Sequence, residues 1–201
     1  MPQPLVALLK SRLALNPIDP ASPPDLVPAG VLVPLFFKDR VAHMLFTQRT
    51  FTVKDHRGQI SFPGGVRHQS DPDLRATALR ETQEEIGLDP QVVEVLGVLP
   101  PVDTITGYRI LPFVGLIPHP YDFRPSPLEV QRLLLLPLEG FYEATHWSSG
   151  VYHYQGSATR VCYWRGNGEV IGGATARILL HLLALLGQHP IAGGHDDTCL
   201  D

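Results

Sequence analysis

Cysteine is scarce: Cys162 and Cys199 are the two in 201 residues, far apart, with the second in a polar tail. That is no disulfide framework, and it points to a reducing compartment. Positive charge is short as well. Sixteen Lys and Arg stand against twenty Asp and Glu, a net charge of −4, so nothing draws the whole chain toward nucleic acid or an anionic membrane surface. A polyanionic small molecule would have to be held by a local cationic patch or a metal. Long apolar runs are missing too. The opening MPQPLVALLKSRLALNPIDP has too short an apolar stretch to span a membrane, and it lacks a basic n-region followed by a cleavage site. The expectation is a cytoplasmic protein with neither nucleic-acid nor membrane partners. In contrast, 20 Pro and 18 Gly favour many turns and short elements. At this length one domain with a substantial core is expected, and a second full domain is not.

Leu5, Leu8, Leu9 and Leu13 recur at helical spacing, so a short amphipathic helix is expected at the start. Residues 17–28, PIDPASPPDLVP, are a proline-rich connector in which neither helix nor sheet should persist. AGVLVPLFF and VAHMLFTQR, joined at Lys38-Asp39-Arg40, read as a hairpin of buried strands. A loop over 50–65 leads into a helix. VVEVLGVLPPV and YRILPFVGLI are further strands, and 130–138 is a strand or a short helix. VYHYQGSATRVCYWRG reads as another hairpin, and ATARILLHLLALL as a helix packed on a sheet. The tail from Gly187 onward is expected to be mobile. Strands before and after a central helix, with a second helix late, predict an α/β (α+β) fold around a mixed sheet.

The central helix raises a question. Asp71 suits its N-cap, Pro72 its first position and Gly87 its stop. At about 100° per residue, Ala76, Leu79 and Ile86 share one side. Glu81, Glu84 and Glu85 crowd the opposite face, where like charges weaken a helix. A solvated face would interleave Lys and Arg, yet Arg80 is the one cation near. Clustered carboxylates are what a hard divalent cation needs, its shell completed by water and substrate phosphate oxygens. Gly64-Gly65 just upstream lets backbone approach a ligand closely.

These residues resemble a family. RETQEEIGL, Arg80 to Leu88, fits the REUxEExGU core of the Nudix box (U, a bulky apolar residue), with Thr82 as the one imperfect match. The full box, GX5EX7REUXEEXGU, puts its first Glu at Pro72, between Asp71 and Asp73, and its glycine one residue nearer Arg80 than Gly65 is. The loop is one residue longer, and Asp71 and Asp73 are the alternatives for the first Glu. The resemblance implies a Nudix fold, a mixed β-sheet sandwiched between helices, over 29–187. Residues 1–28 would then be an N-terminal helix and connector, and 188–201 a flexible tail. It also implies hydrolysis of a nucleoside diphosphate derivative with Mg²⁺ or Mn²⁺. Glu81, Glu84 and Glu85 are the implied metal ligands, with the Gly65 carbonyl as a supplement. Glu84, Glu85 and, by its placement outside the box, Glu129 are the candidates for catalysis.

Upstream, LFTQRTFTVKDHRGQISFPGG resembles the LLTxR(S/A)x3Rx3Gx3FPGG signature of coenzyme A pyrophosphatases. Arg49, Gly58, Phe62, Pro63, Gly64 and Gly65 fall in place. Phe46 replaces a Leu, Thr50 a Ser or Ala, and Lys54 the second Arg, which keeps charge but loses the bidentate fork. The implied reaction splits coenzyme A, or its acyl and oxidised derivatives, into 3′,5′-ADP and 4′-phosphopantetheine. Arg49, Lys54, Gly64 and Arg67 are the candidate substrate-binding residues, and His56, Arg57 and His68 add local cationic character. Two alternatives stand beside it: a Nudix hydrolase of another substrate such as ADP-ribose, and a non-catalytic nucleotide-binding module. The three glutamates argue against the second. A homodimer is an open option for the assembly. His43, His146, His153 and His181 have no metal-ligand spacing. Trp147, Tyr152, Tyr154 and Trp164 read as core or strand residues, and Cys162 as a small apolar one.

Overall fold

The computed structural model describes residues 3–14, 23, 25–50, 58–154 and 156–191. Most of the proline-rich connector, the candidate ligand Lys54 with His56 and Arg57, and the tail beyond 191 lie outside them.

An opening helix α1 (Gln3–Arg12) precedes a long strand β1 (Val27–Lys38), which turns through Asp39 and Arg40 into β2 (Val41–Arg49). Both turn residues have positive φ, 49° and 67°, as a two-residue hairpin turn with the strands' own twist requires. Two short strands, β3 (Ile60–Ser61) and β4 (Gly64–Val66), interrupt what the sequence reads as a loop. Helix α2 (Leu74–Ile86), β5 (Glu94–Val98), β6 (Val102–Asp103), β7 (Tyr108–Leu116) and β8 (Val130–Pro137) follow. Strand, not helix, is the outcome for 130–137. The chain closes with β9 (Trp147–Tyr154), β10 (Ser157–Gly166), β11 (Glu169–Gly172) and α3 (Gly173–Leu185).

The larger sheet is mixed. Its path is β3-β2-β1-β7-β5, with β4 on β1, β6 on β7 and β8 on β2; β1 and β7 run parallel from Val27↔Tyr108 to Leu35↔Leu116. Strand begins at Val27 and runs straight through Pro28, so the connector ends earlier than its prolines suggest. Pro28 has no N–H to give, but its carbonyl accepts from Arg67 N–H at 3.0 Å, which suits a strand's first residues.

Alternate residues of β1 and β2 go to opposite faces. Val33, Leu35, Met44 and Phe46 join α1, α3 and the small β11-β10-β9 sheet in one core. Leu32, Phe36 and Leu45 join Leu74, Ala78 and Ile86 of α2 in the other. Burial on both faces explains why β1 reads as an unbroken apolar run. The mixed sheet is thus sandwiched between helices. Trp147 and Trp164 are buried, their indole N–H groups donating to the carbonyls of Phe141 and Gly140. Cys162, on β10, is buried in the core with Trp164 and Ile171, in keeping with its reading as a small apolar residue. Among the described residues, no helix is long and apolar enough to cross a membrane.

Candidate active site

Helix α2 starts two residues later than its sequence signals suggest. The N-cap is Asp73, whose carboxylate accepts from Ala76 N–H at 2.7 Å. Asp71 is drawn elsewhere. It accepts from Arg80 Nε and Nη2, from Thr77 Oγ1 and from His68 N–H, each at 2.9 Å. Those bonds, led by the one from Arg80, hold its carboxyl well below the usual carboxylate range. Of the two acids flanking the box's missing Glu, Asp71 is the one paired with the box arginine. Thr82, the imperfect box match, is buried and donates to Ala78 O at 2.6 Å. The stop is as expected: Gly87 takes φ 70°, and its N–H donates to Gln83 O.

The three glutamates do not share one environment, and the expected division of faces is corrected. Ala76 and Leu79 are only half-buried, while Glu85 falls on the buried side with Leu74, Ala78 and Ile86. Glu84 is exposed, Glu81 intermediate, and Glu85 only 4% exposed. Arg80 Nη1 donates to Glu81 Oε1 at 2.9 Å and to Glu84 Oε2 at 3.1 Å. Burial raises Glu81 above the ordinary glutamate value. Glu85 is pushed up to about 8, first by burial, against the opposing pull of Arg49 and with the charges of Glu129 and Glu81 adding to the rise. A Gly64 backbone hydrogen bond steadies it, and Arg49 Nη1 lies 3.9 Å from Oε1. Glu85 Oε2 and Arg49 Nε are both buried without a hydrogen-bond partner. An unsatisfied buried polar atom costs about 1–3 kcal/mol and calls for a reason.

The glycines fit tightly against this face. Gly65 pairs with Gly30 across β4 and β1, and a Cβ there would lie 2.5 Å from the Glu81 carboxyl carbon. Gly64 has φ 151°, and a Cβ would lie 2.4 Å from Gly30 O. A larger residue at Gly64 would collide with the backbone of β1, and one at Gly65 would displace the Glu81 carboxylate. Glu129 is not at a helix start but in the turn just before β8, exposed and near enough for its charge to raise both Glu81 and Glu85. Arg67 Nη2 donates to Pro72 O at 2.9 Å and so braces the loop into α2.

The structure therefore brings Arg49, Gly64, Gly65, Glu81, Glu85 and Glu129 together, with Glu84 at the rim, and directs Arg67 to the loop. Sequence reasoning gave Thr50 no role beyond its place in the signature, although it bonds the Glu129 turn. Its hydroxyl beside the signature arginine was the available signal. Among the described residues, no group of three or more His, Cys, Asp or Glu side chains is gathered as a metal cage. The donor chemistry nonetheless fits a hard divalent cation: carboxylate oxygens, one of them buried and unpartnered, packed against the Gly65 backbone.

Residues 27–134 match the family model described as the NUDIX domain. The chain is a member of the Nudix hydrolase family. Two curated relatives, both called "Uncharacterized Nudix hydrolase NudL", come from Salmonella paratyphi B (strain ATCC BAA-1250 / SPB7) and Salmonella newport (strain SL254). Each is 38% identical over 162 residues, covering 81% of this chain and 84% of the relative. Among solved structures, a MutT/nudix family protein from Enterococcus faecalis aligns with a TM-score of 0.51 at 13% identity, over 82% of this chain and 65% of that one. That likeness bears on the Nudix fold alone. Nudix hydrolases act on small molecules with divalent metal ions, and the carboxylate face of α2 is where this Nudix protein would hold one.

Proposed function

We propose that this Nudix hydrolase is a metal-dependent pyrophosphohydrolase that cleaves coenzyme A, or its acyl and oxidised derivatives, to 3′,5′-ADP and 4′-phosphopantetheine. The observation that carries the reading is Arg49 beside Glu85, 3.9 Å apart. The coenzyme A signature has its first arginine at this position, and a guanidinium there offers a bidentate grip on a pyrophosphate next to the hydrolytic carboxylates. Gly64 and Gly65 keep side chains out of that space, and the signature's second cationic position is Lys54 in this sequence.

Glu81, Glu84, Glu85 and the Gly65 carbonyl would hold Mg²⁺ or Mn²⁺, which when bound polarises phosphoryl oxygens and lowers the pKa of a water. The protein's own groups do the rest. The Gly64 backbone fixes Glu85, Arg49 aligns the anhydride, and Glu129 accepts the water proton. The water oxygen forms the new P–O bond, the anhydride P–O bond breaks, and the electron pair leaves with the departing phosphate. A cytosolic location and a homodimer belong to the same proposal. Cell fractionation and light scattering test the two.

The test of the activity is chromatographic product analysis after incubation with coenzyme A and, separately, ADP-ribose, each with Mg²⁺, Mn²⁺ or chelator. The expected result is 3′,5′-ADP from coenzyme A, lost with chelator. Cleavage of ADP-ribose alone would overturn the coenzyme A assignment, and cleavage of neither would favour another substrate or a nucleotide-binding module.

A further inference from the structure

Glu129 stands in a turn, and what fixes that turn is visible. The segment after β7 is stitched along the end of α2. Arg124 N–H donates to Ile86 O and Ser126 N–H to Glu85 O, both at 2.8 Å. Tyr121 Oη accepts from Asp89 N–H at 3.0 Å and donates to Gly87 O at 3.3 Å. Glu129 N–H and Val130 N–H then both return to Ser126 O, at 3.1 and 2.8 Å. Through Ser126, the main chain of Glu129 is thus referred to the main chain of Glu85.

On its other side the turn is held by Thr50. Thr50 N–H donates to Glu129 O at 2.9 Å, and Thr50 Oγ1 donates to Leu128 O at 3.1 Å. Thr50 is 9% exposed and follows Arg49 directly, whereas the Leu128 side chain is 79% exposed. All three residues 127–129 are exposed. Apolar packing therefore does not anchor this turn, and hydrogen bonds carry its placement. Thr50 joins the strand end that carries Arg49 to the turn that carries Glu129, and the charges of both bear on the buried Glu85.

We infer that Thr50 is a positioning residue for Glu129: its paired bonds to the carbonyls of Leu128 and Glu129 hold that carboxylate over the site. The inference rests on the proposed part of Glu129 in hydrolysis, and not on the identity of the substrate. Valine keeps the shape of threonine and removes the hydroxyl donor, while serine restores the donor without the methyl.

The first readout is amide hydrogen exchange, which requires no substrate. Thr50→Val should speed exchange at Glu129 and Val130 with α2 unchanged, and Thr50→Ser should keep them protected. The second is steady-state turnover of coenzyme A, with ADP-ribose in parallel. Thr50→Val should lower kcat about tenfold, since sub-ångström misplacement of a catalytic group is enough for that. KM should stay within about twofold, and Thr50→Ser should recover most of the loss. In a Glu129→Gln background the Thr50→Val change should cost nothing more, because the two act as one unit. Wild-type turnover of ADP-ribose alone would defeat the coenzyme A assignment and leave the same comparison to be read on ADP-ribose. Unchanged exchange in Thr50→Val, an undiminished cost in the Glu129→Gln background, or wild-type kcat in Glu129→Gln would each overturn the inference.

Discussion

Two arginine–carboxylate pairs flank the same helix, and they are built to opposite ends. Asp71 and Arg80 meet through two bonds of 2.9 Å, and the spare capacity of Asp71 is filled by Thr77 and a backbone N–H. Arg49 and Glu85 approach only to 3.9 Å, and each keeps a buried polar atom without a partner. The first pair is satisfied, and its carboxylate is held firmly ionised. The second is left short of partners, and its carboxyl is pushed up to about 8. Satisfied pairs lock structure. Unsatisfied buried groups are a stability cost that a functional site retains because a ligand completes them.

The comparison is broken most sharply at Glu85. Glu85→Gln keeps the shape and removes the charge, and under the proposed metal-dependent mechanism a carboxylate that holds a metal against a phosphoryl group is worth several kcal/mol of transition-state stabilisation. The expected loss in kcat is about a thousandfold, which at 1.36 kcal/mol per tenfold is roughly 4 kcal/mol. The thermal midpoint should hold or rise, because a desolvated carboxyl has gone. A fall in stability together with preserved turnover would reverse the roles assigned to the two ends of α2.

Asp71→Asn gives the mirror image. It removes a buried carboxylate from Arg80, leaving that guanidinium with the weaker company of Glu81 and Glu84. The expected cost is about 3 kcal/mol, or roughly 6–12 °C in the midpoint for a chain of this size; in calorimetry below saturation, metal affinity should change little. The pH dependence has a definite sign. Asp71 is held below its unfolded value, so its contribution is fully present above about pH 4. It is lost as pH falls through the lower, folded-state value. Acid titration of stability should show wild type losing this increment below about pH 4 while Asp71→Asn has none to lose.

Much of this was legible in the sequence, for reasons that differ by element. The β1–β2 hairpin was readable because both strands are buried on both faces and the turn is short. The carboxylate helix was readable because RETQEEIGL carries both its family signature and its stop. The difference between Glu85 and Glu84 was not readable. A helical wheel gives angles, but which angle faces the sheet depends on β1 passing beneath Leu74 and Ala78, and sequence alone does not specify that. Glu129 was visible as an acid outside the box, whereas Thr50's grip on its turn joins residues 78 positions apart, beyond the reach of any local pattern.

The helix start is the smallest of these effects, and it isolates the misreading of Asp71. Both Asp71 and Asp73 are acceptable caps by residue type, and Pro72 between them favours Asp71 by placing proline at the first helical position. The long-range pull of Arg80 decides otherwise: Asp71 is occupied nine residues ahead, and Asp73 is left to bond Ala76 N–H. If that is the division of labour, Asp73→Ala should cost about 1 kcal/mol, the ordinary worth of an N-cap, or roughly 2–4 °C. Its cost should be independent of Arg80, so that Asp73→Ala and Arg80→Ala add, while Asp71→Asn and Arg80→Ala do not. The reverse pattern of additivity would return the cap to Asp71 and leave the deep depression of its pKa without a cause.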